Sequence, residues 1–154
     1  LKFVDASGLK HNWQPHLVYR PALKQGLIRF RFQVRLEEGA IFWHEWRDNA
    51  NPYRIGPSLR IKANGELSVG ERVLLTVPRG QWLGFTIVCP LGKQATATWD
   101  LTVSVPGQEA QTFAGLDCGS KKSFRSLEWL GFVSEATTRT VFYVDDLQMT
   151  VEKP

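Results

Sequence analysis

The sequence predicts an all-β fold, an antiparallel β-sandwich, on three observations. Apolar and polar residues alternate with period two over most of the chain from residue 28 onward. The alternating runs are short and punctuated by Gly, Pro, Asn and Asp. No window of roughly 11 residues or more carries a helical period with capping residues. About nine or ten strands follow from this pattern, the grammar of two packed antiparallel sheets.

The elements can be justified in order. Residues 1–26 are broken by Pro15 and Pro21 and are expected to hold one short strand and loops. Ile28, Phe30, Phe32, Val34 and Leu36 alternate with Arg29, Arg31, Gln33 and Arg35, as a half-buried strand requires. A turn at Glu37-Glu38-Gly39 leads to a strand from Ala40 to Arg47, and Asp48–Pro52 forms a loop of turn-tolerant residues. Tyr53–Lys62 reads as a strand interrupted at Gly56-Pro57, by a bulge or an edge position. Asn64-Gly65 signals a hairpin turn. Arg72–Val77, Trp82–Leu91 and Ala95–Val105 are further strands, ended by Pro78-Arg79-Gly80, Gly92 and Pro106-Gly107. A looser stretch containing Leu116–Ser123 precedes two last strands, Leu127–Val133 and Arg139–Val151.

Composition narrows the function classes. The chain has 154 residues, 43% of them hydrophobic, which excludes disorder. At this size roughly 70% of the unfolded surface is buried, enough for a substantial core. With no repeat or linker, residues 1–154 read as a single domain. No apolar run approaches the roughly 20 residues of a membrane span, and these residues show no signal-peptide pattern. The first residue is Leu and the only Met is Met149, so a module of a larger secreted protein is expected. A net charge of +4 permits a polyanionic partner without demanding one, and scattered basic residues point away from nucleic acid and membrane. Cys89 and Cys118 either pair once, as suits an exported protein, or act as small buried hydrophobes. No Asn-x-Ser/Thr acceptor occurs.

The run GLIRFRFQVRLEEGAIF, followed by GPSLRI, NGEL, GQW and FTI, resembles the concanavalin-A-like, laminin-G-like jelly rolls over roughly residues 27–151. The segment TVFYVDDLQM is similar to the last strand of jelly-roll carbohydrate-binding modules. The alternating Glu/Asp catalytic strand of jelly-roll glucanases is absent, and lyase motifs are not recognisable. The resemblance implies a jelly-roll sandwich. It also implies that Trp82 supports the start of its strand from the core. Asp145 or Asp146, with Asp5 as a partner, could hold a structural Ca²⁺ completed by backbone carbonyls; the alternative is ordinary turn carboxylates. No cofactor is required.

The densest polar-aromatic cluster is Trp43, His44, Glu45, Trp46, Arg47, Asp48 and Asn49, followed by Tyr53 and Arg54. Alternation sets Trp43, Glu45 and Arg47 on one face and His44 and Trp46 on the other. Sugar rings offer apolar C–H faces to aromatic planes and hydroxyls to Arg, Glu, Asp, Asn and His. These nine residues are therefore the candidate carbohydrate site. Alternatively Glu45 and Arg47 form a structural ion pair and the tryptophans fill the core. With Trp46 as the outward member, Trp46→Ala would cost about 1–3 kcal/mol in affinity at an unchanged melting temperature. Loss of stability would instead make it a core residue.

Arg29, Arg31, Gln33 and Arg35 could hold uronate or sulfate groups, or form a solvated outer face. Trp99 shares parity with Leu101, Val103 and Val105 and is expected in the core, while Trp129 could go either way. No zinc spacing, nucleophile elbow or phosphate loop is present, and no catalytic residue is assigned. His44 with Tyr53 and an Arg could abstract a proton beside a uronate carboxylate. The expectation is a non-catalytic carbohydrate-binding module for a polysaccharide or oligosaccharide, beside a catalytic domain in the same parent chain. The rivals are a structural or protein-interaction sandwich and a small polysaccharide lyase or hydrolase of the same fold.

Overall fold

The computed structural model describes residues 1–152. Its strands are β1 (Lys2–Asp5), β2 (His16–Tyr19), β3 (Gly26–Leu36), β4 (Phe42–Arg47), β5 (Ile55–Ile61), β6 (Glu66–Val69), β7 (Arg72–Thr76), β8 (Trp82–Leu91), β9 (Thr98–Ser104), β10 (Gln111–Asp117), β11 (Trp129–Ser134) and β12 (Thr140–Glu152). Two one-turn 3₁₀ segments, Gly92–Gln94 and Lys121–Ser123, complete the described elements. The strands form two antiparallel six-stranded sheets, β1-β12-β3-β8-β9-β10 and β2-β11-β4-β5-β6-β7.

Period-two patterning produces this architecture directly. Along β3 the side chains of Ile28, Phe30, Phe32, Val34 and Leu36 are buried, while the intervening Arg and Gln side chains lie on the outer surface. Leu83, Phe85, Ile87, Cys89 and Leu91 of β8 repeat the pattern, as do Trp99, Leu101 and Val103 of β9. The opposing sheet contributes Phe42, His44, Trp46, Leu59, Ile61, Leu130 and Phe132. An aromatic knot joins the layers: Phe32 stacks on Phe85 with centroids 5.3 Å apart and meets Phe132 edge-on at 5.3 Å. Each such phenylalanine contributes roughly 1.5–3 kcal/mol by leaving water.

Two segments differ from the sequence expectation, and a third agrees with it. The N-terminal region supplies two strands, one to each sheet, since β1 pairs with the start of β12 and β2 with β11. β10 falls in the stretch expected to be loose. It is an edge strand on which only Leu116 is buried, so it has no apolar alternation to betray it. The interruption expected at Gly56-Pro57 is present as a bulge: Glu45 pairs with Ser58 and Arg47 with Ile55, so Gly56 and Pro57 together oppose the single residue Trp46. β6 pairs with β5 only from Arg60 onward, so Gly56-Pro57 lies beyond that ladder.

Trp99 is buried as expected, its indole N–H donating to the Asp117 carbonyl at 3.1 Å. Trp82 is not a core support. Because Leu83 points inward, Trp82 points outward, and it is 37% exposed beside Tyr143. Cys89 and Cys118 are both buried free thiols. A hydrogen bond to Cys118, reinforced by burial, pushes the Cys89 thiol up.

Candidate functional site

The outer face of the β2-β11-β4-β5-β6-β7 sheet gathers the polar and aromatic residues that the core rejects. Strand register puts His16, Val133, Trp43, Arg60 and Ser68 in one row across five strands. The next row holds Val18, Gly131, Glu45 and Ser58, and the third holds Trp129 beside Arg47. Residues in register share a face, so side chains from five separate segments converge without any loop rearrangement.

Arg47 lies at the centre. Its guanidinium sits 4.2 Å from the Tyr53 ring centroid and 4.2 Å from that of Trp129, with Trp43 at 5.8 Å. Cation–π attraction on two sides fixes a side chain that would otherwise sample many rotamers. Its Nε donates to Glu45, whose other oxygen accepts from the Ser58 hydroxyl at 3.1 Å. The Trp43 indole N–H donates to the same Ser58 hydroxyl at 3.0 Å. Glu45 belongs to the outward face yet is only 2% exposed, so it forms the floor of the site. Burial pushes its carboxyl above the usual carboxylate range, against the opposing pull of Arg47 and Ser58.

Gly131 explains how Trp129 reaches Arg47. A Cβ built on Gly131 would overlap the six-membered ring of the Trp129 indole. The absent side chain lets the indole lie across the strand next to Glu45, and any larger residue would lift it off.

The Asp48–Arg54 loop presents Tyr53. The Asp48 carboxylate accepts from the backbone N–H of Ala50 at 3.0 Å and of Arg54 at 2.8 Å, and pairs with the Arg54 guanidinium at 2.6 Å. The 118–123 segment braces the loop from outside. Arg54 donates to the Ser123 carbonyl, Ile55 donates its backbone N–H to the Ser120 hydroxyl, and the backbone N–H of Ser120 donates back to the Ile55 carbonyl at 2.7 Å. Gly56 is required because the Phe124 ring occupies the place of its Cβ.

The loop between β1 and β2 forms the opposite wall. Trp13 stacks on His11 with centroids 4.3 Å apart and meets His16 edge-on at 5.1 Å. A groove of about 450 Å³ runs between Trp13, His16, Trp43, Arg47, Tyr53, Trp129 and Glu135. A smaller hollow of about 220 Å³ continues it over Ser58, Arg60 and Ser68, sharing Trp43 and Glu135. Arg60 pairs with Glu135 at 2.5 Å. Trp13 and Tyr53 are the most exposed aromatics of the groove, at 42% and 49%.

The structure brings Trp43, Glu45, Arg47 and Tyr53 together and separates the other expected site residues from them. His44 and Trp46 are wholly buried between the sheets, out of reach of any ligand, and their expected binding role is corrected to a core role. The His44 Nδ1 proton goes to the Gly131 carbonyl at 2.8 Å, and Nε2 accepts the Trp46 indole N–H at 3.0 Å. Those partners demand the neutral tautomer, and burial holds the pKa down to about 3. The suggested proton abstraction by His44 with Tyr53 has no geometric basis. Asp48 is 6% exposed and organises the loop, Arg54 braces it from outside, and Asn49 is exposed at its tip.

Sequence reasoning missed Trp13, His16, Ser58, Arg60 and Glu135. Trp13 is an exposed aromatic in a Pro-broken segment, which was a usable signal; the others needed strand register. The Arg29–Arg35 stripe lies on the outer face of the other sheet and cannot contribute to this groove. No cluster of three or more His, Cys, Asp or Glu residues forms among the described residues. Asp5 is buried opposite Thr140 and bonded by the Ser134 hydroxyl, whereas Asp145 is exposed five residues further along β12. That is roughly 17 Å at the rise of a strand, so Asp5 does not join Asp145 in a Ca²⁺ shell.

No protein-family model matches this sequence, and no curated protein does. Solved structures do match. A marine alginate lyase from Aplysia kurodai superposes with a TM-score of 0.66 at 9% identity, covering 98% of this chain and 82% of that one. An endo-β-1,4-glucuronan lyase from the fungus Trichoderma reesei gives 0.61 at 10% identity, covering 97% and 80%. A heptameric SAP-like pentraxin from Limulus polyphemus gives 0.56 at 14% identity, covering 99% and 76%. At such identities the likeness is one of fold: this chain is an antiparallel sandwich of the concanavalin-A-like jelly-roll type.

Proposed function

We propose that the protein is a non-catalytic carbohydrate-binding module, an exported accessory domain of a carbohydrate-active enzyme, and that its polysaccharide lies in the groove between Trp13 and Tyr53. The observation that carries this reading is the Arg47 guanidinium held 4.2 Å from both the Tyr53 and the Trp129 ring centroids. A pre-ordered fork of donors flanked by aromatic planes suits a ring with hydroxyls on its rim and C–H groups on its faces. Two structures of the same fold are named as lyases of alginate and glucuronan, which supports a polysaccharide partner.

Affinity electrophoresis against neutral and acidic plant, algal and microbial polysaccharides tests the proposal. Retardation by one polymer class, lost in Trp13→Ala and Tyr53→Ala without loss of folding, is the expected result. No retardation across the panel would leave a structural or protein-interaction sandwich. New reducing ends or unsaturated-uronate absorbance would replace the binding module with an enzyme.

A further inference from the structure

The two outer faces of the sandwich divide their charge differently. In the groove each arginine already has a carboxylate partner: Arg47 pairs with Glu45, and Arg60 with Glu135. On the other sheet Arg29 and Arg31 have no carboxylate partner among the described residues; they line a shallow hollow with Gln148 and Thr150. The unpaired arginines and the Arg47 groove are therefore on opposite sides of the molecule, and the far face carries its own aromatic pair, Trp82 beside Tyr143.

Resting on the binding reading above, we infer that the groove selects an uncharged, linear glycan and binds an internal stretch of it. A carboxylate or sulfate entering beside Arg47 would also approach Glu45 and Glu135. Attraction and repulsion nearly cancel, and the desolvation cost of the anion is left unrepaid. A hydroxyl carries no such cost. It can accept from the two Nη groups of Arg47, whose Nε is committed to Glu45, and donate to the Glu135 carboxylate. The C–H faces of a sugar match Trp13 and Tyr53, which carry no charge.

The length of the groove follows from strand register. From His16 on β2 to Ser68 on β6 are four inter-strand steps, roughly 19 Å. The main groove continues past Trp43 and Glu135 into the smaller hollow, so it is a path rather than a closed end pocket. That span accommodates several sugar rings placed in line.

Isothermal titration with a set of hexasaccharides tests the inference. The neutral probes are cello-, xylo-, manno- and laminarihexaose; the acidic probes are hexasaccharides of alginate and glucuronan. One neutral probe is expected to bind at least about tenfold more tightly than either acidic one. Its affinity should be unchanged between low and high salt and in the Arg29→Ala/Arg31→Ala double variant. The corresponding disaccharide should bind more weakly. Tighter binding of an acidic hexasaccharide, weakened by salt, would overturn the inference while leaving the carbohydrate-binding reading standing. Equal affinity for disaccharide and hexasaccharide would overturn the internal-stretch claim alone. Failure of every probe to bind would overturn the binding reading and this inference with it.

Discussion

The indole N–H of Trp46 donates to Nε2 of His44 at 3.0 Å, two residues away on the same inward face of β4. This contact, in a pocket walled by Phe30, Phe32 and Phe132, turns two polar-capable residues into core. Every polar atom of the pair is satisfied, since the other imidazole nitrogen donates to the Gly131 carbonyl. Gly131 therefore supports both sides of its strand: its carbonyl holds His44 inside, and its missing side chain admits Trp129 outside.

Stability should fall in acid because of His44. Its folded pKa is about 3, against 6.5 for the free group, so the unfolded chain binds the extra proton between those values. The contribution is complete above about pH 6.5 and is lost as pH falls. The loss reaches roughly 2–3 kcal/mol by about pH 4.5 and levels off once the folded state is also protonated. Glu45, with its carboxyl pushed up, acts in the opposite direction and offsets part of this. Urea unfolding of the wild type and of His44→Gln at neutral and acidic pH measures the difference. Equal pH slopes in the two proteins would refute it.

Trp46→Ala should destabilise by about 3–5 kcal/mol, the cost of emptying a large buried site. Trp13→Ala should leave the melting temperature nearly unchanged and weaken glycan binding by about 1–3 kcal/mol, a scale taken from aromatic stacking on nucleic-acid bases. Paired melting and titration curves separate the two. A stability loss in Trp13→Ala equal to that in Trp46→Ala would place both indoles in the core.

Gly131→Ala should mimic Trp129→Ala. The added methyl occupies the space of the indole, which must swing into water. Tryptophan emission should shift to the red, and binding should fall about as far as in Trp129→Ala. Wild-type affinity in Gly131→Ala would show that Trp129 does not line the ligand path.

Asp48→Ala should loosen the loop that carries Tyr53. It removes the acceptor for two backbone N–H groups and the partner of Arg54, at about 1–3 kcal/mol for each buried group left unpaired. Arg54→Ala should be milder, because that side chain is 45% exposed. Limited proteolysis should cut the Asp48 variant near residues 49–53 before the wild type. Equal cleavage rates would mean that the brace from Ser120 and Ser123 is sufficient by itself.

The sequence by itself determined the sandwich, because period-two alternation is a local property and β3, β8 and β9 carry it without interruption. It also determined which residues of β4 oppose one another. It did not determine which set faces out, since both hold a tryptophan and both hold a titratable residue. Phe32 and Phe132 meet the His44 side of the strand and Tyr53 meets the Arg47 side, and those are contacts made between segments distant in the chain. β10 was illegible for a related reason: an edge strand exposed along most of its length gives no periodic signal. The groove also required Trp13, brought against a strand some thirty residues away. Only the tertiary structure placed the arginine stripe on the far sheet and the aromatic planes around Arg47. Register between strands, which sets what shares a face, is fixed by long-range packing rather than by neighbours in sequence.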